Sequence, residues 1–444
     1  MKQFKRPVTR RRFLSSTLQA GVGASVTSLA AGLSPSKLVA LAETNRRPKA
    51  TADSIIFIWL AGGMCHVDTF DPKDAVGDGG TRPGSYYKKI ATASPQIQLC
   101  EHLPRMAKWM DRASLVRSMT HSFAEHTAAV NFSHTGRPPS GTIIYPSLGS
   151  VISHEVGPLE EKAPAYVVLG QPMVPRGPGF LGGKYGYLYV LNTEEGPAGL
   201  QPAFGRTLQD HQRREALLGG LSESFYAKKA SEPLVEAYEA VTRQGYGMMN
   251  EKFLSMFNVK NEPDSLKEAF GEEFGQRCLL SRKLVQGGVR FVECSFNLHF
   301  INGYGWDAHA FAQKRLHLVI EQLDRGLSMV LQDLDQNKLL ERTLVVLATE
   351  FGRPPEFDGQ GGRGHQSKGY SILFAGGGVQ GGRVIGRTDE LGGAVADRPV
   401  TIPDLHATLY QALGIDLETH LEAPGGRPVP VTDFGKPVSE LFAS

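Results

Sequence analysis

The sequence predicts an α/β fold with a largely parallel central sheet and helices on both faces. Two patterns predict it: fully apolar runs of strand length recur along the chain, and helical three-and-four spacing fills several of the intervals between them. A third observation agrees. With 41% hydrophobic and 21% charged residues over 444 positions, the chain is globular material, which excludes collagen, coiled coil and disorder.

The elements follow in order. Residues 1–42 read as a twin-arginine signal peptide: Thr9-Arg10-Arg11-Arg12-Phe13-Leu14, a weakly apolar run from Leu18 to Leu33, then Ala40-Leu41-Ala42 as an A-x-A cleavage site. The apolar run is too short and too polar for a stable span, so the expected mature protein, from Glu43, has none and is periplasmic or extracellular. Proteins of this export route cross the membrane folded, often with a metal or cofactor loaded. Six of the 48 basic side chains lie in the first dozen residues, and without them the formal charge of +3 becomes −3, which gives no footprint for nucleic acid.

Residues 43–444 read as one domain. Ser54 to Leu60 is apolar throughout and ends in Ala61-Gly62-Gly63, a strand buried on both faces that runs into a tight loop. Similar runs lie at Ser114–Met119, Ala165–Leu169, Val289–Phe296, Thr343–Ala348 and Tyr370–Ala375. Helices are expected over Asp264–Gln286, Phe311–Leu334 and Ile402–Leu413, the last with Pro403 near its start. Gln171–Gly205 is rich in Gly, Pro and Tyr and reads as a long surface excursion; Leu208–Phe257 is helical, so an insertion is expected near 171–257. Gly376 to Gly382 fits no phosphate-binding fingerprint and reads as a turn. The four cysteines have no C-x-x-C spacing, and Cys278 and Cys294 read as buried free thiols.

In open α/β sheets ligands bind beyond the carboxyl ends of the strands. There the chain carries His66 and Asp68, then His126, then Asp307-Ala-His309, then Glu350 and Arg353, and finally Arg363, His365 and Lys368 in a Gly-rich loop. Carboxylates and imidazoles that converge from several strands suit one or two divalent ions, Zn, Mn, Fe, Mg or Ca. Arg353, Arg363 and Lys368 are candidates to bind an oxyanion, the alternative being pairs with Glu350, Glu356 or Asp358. Single histidines such as His134, His154, His211, His299 and His420 read as structural. Without a G-x-S-x-G elbow, an α/β-hydrolase is not indicated.

Taken together, Gly62-Gly63 with His66-Val-Asp68-Thr-Phe-Asp71-Pro-Lys73, Tyr145-Pro-Ser-Leu-Gly-Ser150, the stretch from Cys278 to Val292, Gly305-Trp-Asp-Ala-His309, Glu350-Phe-Gly-Arg353-Pro and Arg363-Gly-His365 resemble the exported family filed as domain of unknown function 1501. That family is similar in turn to the alkaline phosphatase and sulfatase superfamily. The resemblance implies an alkaline phosphatase-like three-layer fold and a sulfatase-like metal centre that handles phosphate or sulfate esters. Several positions depart from the superfamily pattern. Gly62 stands where a metal-binding Asp is usual, His126 where the nucleophile is, and Phe351 where a metal-binding His is, while His365 keeps the last histidine. No C-x-P-x-R sequence is present for a formylglycine nucleophile.

Three readings follow. The first is an exported metallohydrolase in which His66 or Asp68, with His126, Asp307, His309, Glu350 and His365, forms a rewired centre; its metal-activated water attacks an anionic small-molecule or glycan ester, or His126 is the covalent nucleophile. The second is a non-catalytic protein that binds an anionic glycan or an envelope partner. The third is a structural metal in a cell-envelope assembly.

Overall fold

The computed structural model describes residues 48–171, 177–197, 199–200, 206–229, 232–296, 305–310 and 314–442, and these form one compact unit. The expected signal peptide, His299 and part of the excursion before Gly205 lie outside the described residues.

Every apolar run named above is a strand. The six are β1 (Ser54–Trp59), β2 (Ala113–Met119), β3 (Tyr166–Leu169), β5 (Phe291–Ser295), β6 (Thr343–Ala348) and β7 (Tyr370–Ala375), and two short strands not expected from the sequence, β4 (Leu188–Val190) and β8 (Val384–Ile385), complete the sheet. The sheet order is β8-β2-β7-β6-β1-β5-β3-β4. All neighbours run parallel except around β7, which is antiparallel to both β2 and β6. Because β7 is reversed, its first residue, Tyr370, lies at the end of the sheet where β1, β2, β5 and β6 finish. The whole β6–β7 connection therefore stays at that end, and this is what keeps Arg353, Arg363 and His365 near the other strand exits.

Alternation along β1 explains the three layers. Ile56 and Ile58 join one buried cluster, with Cys278, Leu280, Leu323 and Leu327, while Ile55, Phe57 and Trp59 join a second, with Val130, Ile152, Leu405 and Leu409. The first cluster is covered by α6 (Glu273–Gln286) and α7 (Leu316–Gln336), the second by α1 (His126–Thr135), α2 (Leu148–Glu155) and α8 (Ile402–Ala412). A strand apolar at every position thus has a helix layer on each side to bury it.

Three expectations are corrected. The excursion after Gln171 is not all surface loop, since β4 within it pairs with β3 as an edge strand. Asp264–Gln286 is two helices, α5 (Asp264–Phe270) and α6, because Gly271 turns the chain at φ +89. The described helix α7 begins at Leu316, after a turn at Lys314 and Arg315, and Phe311, where its start was expected, lies outside the described residues. The helical stretch after Leu208 becomes α3 (Leu208–Lys229) and α4 (Pro233–Met248). Residues 376–378 form a turn, and all four cysteines are buried free thiols. Among the described residues no helix is long and apolar enough to cross a membrane.

Candidate metal centre

α1 is positioned first. Glu125 accepts hydrogen bonds from the Thr127 and Ala128 N–H groups, and Gly136 closes the helix in the left-handed conformation. His126, the first residue of α1, is thereby held at the mouth of the sheet, over the exits of β5 and β6. The exit of β1 is Gly62-Gly63 for a steric reason. A side chain at Gly62, whose φ is +122, would stand 2.6 Å from the Asp307 nitrogen, and one at Gly63 would strike the Phe351 ring.

Asp307 Oδ1 is the common point of the site. His126 Nε2 lies 3.3 Å from it, His309 Nε2 3.0 Å and His365 Nε2 3.4 Å, and Arg353 Nη2 donates to it. Each imidazole turns its other nitrogen to an oxygen. His126 Nδ1 donates to Glu350 Oε1 at 3.0 Å, His365 Nδ1 donates to the Ala124 carbonyl at 2.9 Å, and His309 Nδ1 faces Asp358 Oδ2 at 3.7 Å. In His126 and His365 an oxygen acceptor at Nδ1 turns the Nε2 lone pair toward the site, whereas His309 Nε2 also faces Arg353 Nη1 at 3.5 Å. His309 and His365 bring their Nε2 atoms to 2.8 Å of each other, and the buried His126 Nε2 has no well-aligned hydrogen-bond partner.

That geometry fits a metal. Ligand atoms around a tetrahedral ion with bonds of about 2.0 Å sit roughly 3.3 Å apart. His126, Asp307 and His365 offer atoms that all lie within 4.8 Å of one another, and His309 adds a fourth donor against two of them. Phe351, fully buried, lies against both His126 and His365, with ring centroids 5.0 and 4.6 Å away, and forms an apolar wall.

Electrostatics agree. Burial works against the carboxylate of Asp307, but His126, His365 and Arg353 outweigh it and hold the group well below the usual carboxylate range. Burial also opposes a charge on His126, yet Asp307 and Glu350 push its pKa up to about 9. His309 is lowered, first by desolvation and then by the positive charge of Arg353.

The sequence-derived candidates separate into two groups. His126, Asp307, His309 and His365 come together. The others do not join them as ligands. Glu350 is fully buried and supports the site from behind, since Oε1 accepts from His126 and, at 2.7 Å, from the Gly62 N–H. Asp68 and Arg363, both without exposure, are each other's partners at 3.0 and 3.1 Å; Asp68 also accepts from the Tyr86 N–H, and Arg363 donates to the Gly84 carbonyl. His66 is buried beside Gly392, whose carbonyl takes its Nε2 proton at 2.8 Å, and burial lowers its pKa.

The three cations expected to bind an anion are placed differently from one another. Arg353 is fully buried and donates to the Gly63 carbonyl at 2.9 Å and the Arg363 carbonyl at 2.6 Å, besides Asp307. Its charge steadies the cluster and is not presented to solvent. Of the three cations only Lys368 is exposed. Asp358 behind His309 and the Ala124 carbonyl behind His365 were not singled out by the sequence; a carboxylate in a Gly-rich loop and a backbone oxygen give no pattern.

A family model described as "Protein of unknown function (DUF1501)" matches residues 52–442. No curated protein matches the chain. Among solved structures it is similar to a sulfatase from Pseudoalteromonas sp., at 13% identity over 92% of this chain and 75% of that one, with a TM-score of 0.40. It is also similar to a phosphonate monoester hydrolase from Silicibacter pomeroyi, at 9% identity over 88% and 77% with a TM-score of 0.40. A protein of the alkaline phosphatase superfamily from Vibrio parahaemolyticus is similar at 11% identity over 83% and 69%, with a TM-score of 0.37.

Proposed function

Since the chain belongs to the family described as "Protein of unknown function (DUF1501)", whose description assigns no activity, we propose a function from the site itself: an exported metallohydrolase of phosphate or sulfate esters. The observation that carries the reading is the convergence of three imidazole Nε2 atoms on Asp307 Oδ1, each ring backed by an oxygen at Nδ1. In this reading His126, Asp307, His309 and His365 hold one divalent ion. Such an ion supplies Lewis acidity, which lowers the pKa of bound water toward neutrality and polarises an ester oxygen.

The chain's own groups do the rest. Glu350 keeps the proton of His126 on Nδ1 and fixes the ring. Arg353 balances the charge of Asp307 from beneath, and Phe351 excludes water from one side. His126 is then a ligand and not the covalent nucleophile, because both of its nitrogens are engaged. The twin-arginine pattern at residues 9–14 supports export to the periplasm or beyond; retention of an Arg10→Lys, Arg11→Lys variant in the cytoplasm is the expected result on cell fractionation.

The test is the metal content of the purified protein by elemental mass spectrometry, beside His365→Ala and Asp307→Asn. About one ion per chain, lost in both variants together with turnover of aryl phosphates or sulfates, is expected. An ion retained by both variants would remove the site. A second reading, a structural metal centre without turnover, is favoured by the burial of Arg353 and Arg363, which takes both guanidinium groups away from any ester oxyanion. It predicts the same metal loss but no product from any ester with the loaded protein.

A further inference from the structure

The helix α3 has an outward side that nothing in the described protein covers. Its 22 residues pack against α4 through a groove lined by Gln212, Glu215, Ala216, Gly219, Glu223 and Tyr226. On the opposite side, at steps of three and four residues, stand Asp210, Arg214, Leu217, Leu221, Phe225 and Lys228. Leu217, Leu221 and Phe225 are 65%, 78% and 53% exposed. A single exposed apolar side chain is ordinary, but three in one row, with charges only at the two ends, form the stripe of a helix that meets another helix.

We propose that this stripe is a self-association surface, on which a second copy of the chain docks its own α3 antiparallel about a two-fold axis. The charges select both the occupant and the direction. One end of the stripe carries Asp210, with Arg214 one turn further in, and the other carries Lys228. With Leu217 against the partner's Leu221, antiparallel docking places Asp210 against the partner's Lys228 at both ends of the contact. Parallel docking sets like charge against like. A membrane surface suits a helix whose polar side is predominantly basic, whereas α3 carries Asp210, Glu215 and Glu223 among its basic residues.

A stripe of 18 residue steps is about 27 Å long. One helix per subunit makes an interface at the small end of the stable range, below about 1,200 Å², so the dimer dissociates on dilution.

The experiment is sedimentation velocity of the full chain over a concentration series. The expected result is a mass that doubles as concentration rises, with Leu221→Glu weakening dimerisation at least tenfold while the circular dichroism spectrum is unchanged. Lys228→Glu weakens it too, and adding Asp210→Lys to that variant restores it, because the opposite charges face each other again. A monomer at every concentration overturns the proposal. So does a dimer indifferent to Leu221→Glu, a charge exchange that fails to restore, or a monomer that binds anionic phospholipid vesicles through Leu221. Were Leu221→Glu to misfold, the Lys228 and Asp210 pair of variants decides alone.

Discussion

Two carboxylates at strand exits, Asp307 and Asp68, face opposite fates. Each has an arginine beside it and a histidine nearby in sequence. Asp68 is saturated: Arg363, the Tyr86 N–H and the Cys65 thiol use its oxygens, and neither it nor Arg363 is exposed. Asp307 is partly exposed, and three imidazole nitrogens are turned to one of its oxygens. A strand-end carboxylate therefore becomes a candidate ligand when its neighbours include imidazoles, which can exchange a proton for a metal ion, and not guanidinium alone. Guanidinium brings protons alone, so the Asp68–Arg363 pair closes on itself and braces the loop after β1.

The sharpest break of this comparison is Asp68→Ala. It strands the Arg363 cation in a fully buried position, and the expected loss is about 3–5 kcal/mol of folding stability in a denaturant titration. Metal content per folded molecule should be unchanged, whereas Asp307→Asn reverses the pattern. If Asp68→Ala loses metal while its stability holds, the division between the two regions is wrong.

Titration gives the next largest effect. The raised pKa of His126, about 9, means the folded, metal-free protein holds a proton that the unfolded chain releases near 6.5. That contribution is complete below about 6.5 and disappears as pH climbs through about 9, so the metal-stripped protein should melt at progressively lower temperature over that window. Metal affinity should move the other way. Proton and ion compete for His126 Nε2, and affinity should rise by up to about tenfold per pH unit across the window, measured by competition with a chelator. Affinity that is flat in pH would separate His126 from the centre.

The smallest effect is reserved for Glu350→Gln. The amide oxygen still accepts from His126 Nδ1 and the Gly62 N–H, so only the negative charge behind the imidazole is lost. Metal affinity is expected to fall roughly tenfold, with stability nearly unchanged. A loss as complete as that of Asp307→Asn would make Glu350 a direct ligand after all.

How much of this was legible in the sequence depends on the range of the signal. The strands were legible because a strand buried on both faces is apolar at every position, as Ser54–Leu60 is. α7 was legible because Leu316, Val319, Ile320, Leu323 and Leu327 keep helical spacing, and each is buried. β4 was hidden, since Leu188–Val190 is a short edge strand in a run of Gly and Tyr. The break at Gly271 was hidden because the apolar spacing continues across it.

The sequence by itself determined the α/β class, six of the sheet's eight strands and the end of the sheet where His and Asp side chains collect, because these follow from local periodicity and from the direction of parallel strands. It also carried the charged and apolar order of the α3 stripe. Only the tertiary structure decided which of those side chains meet. Whether Asp68 or Asp307 faces the imidazoles, and whether Arg353 and Arg363 point outward or inward, depends on side chains hundreds of positions apart in the chain, such as Asp68 and Arg363. No spacing in a sequence encodes which nitrogen of a histidine is held by an oxygen and which is left for a metal.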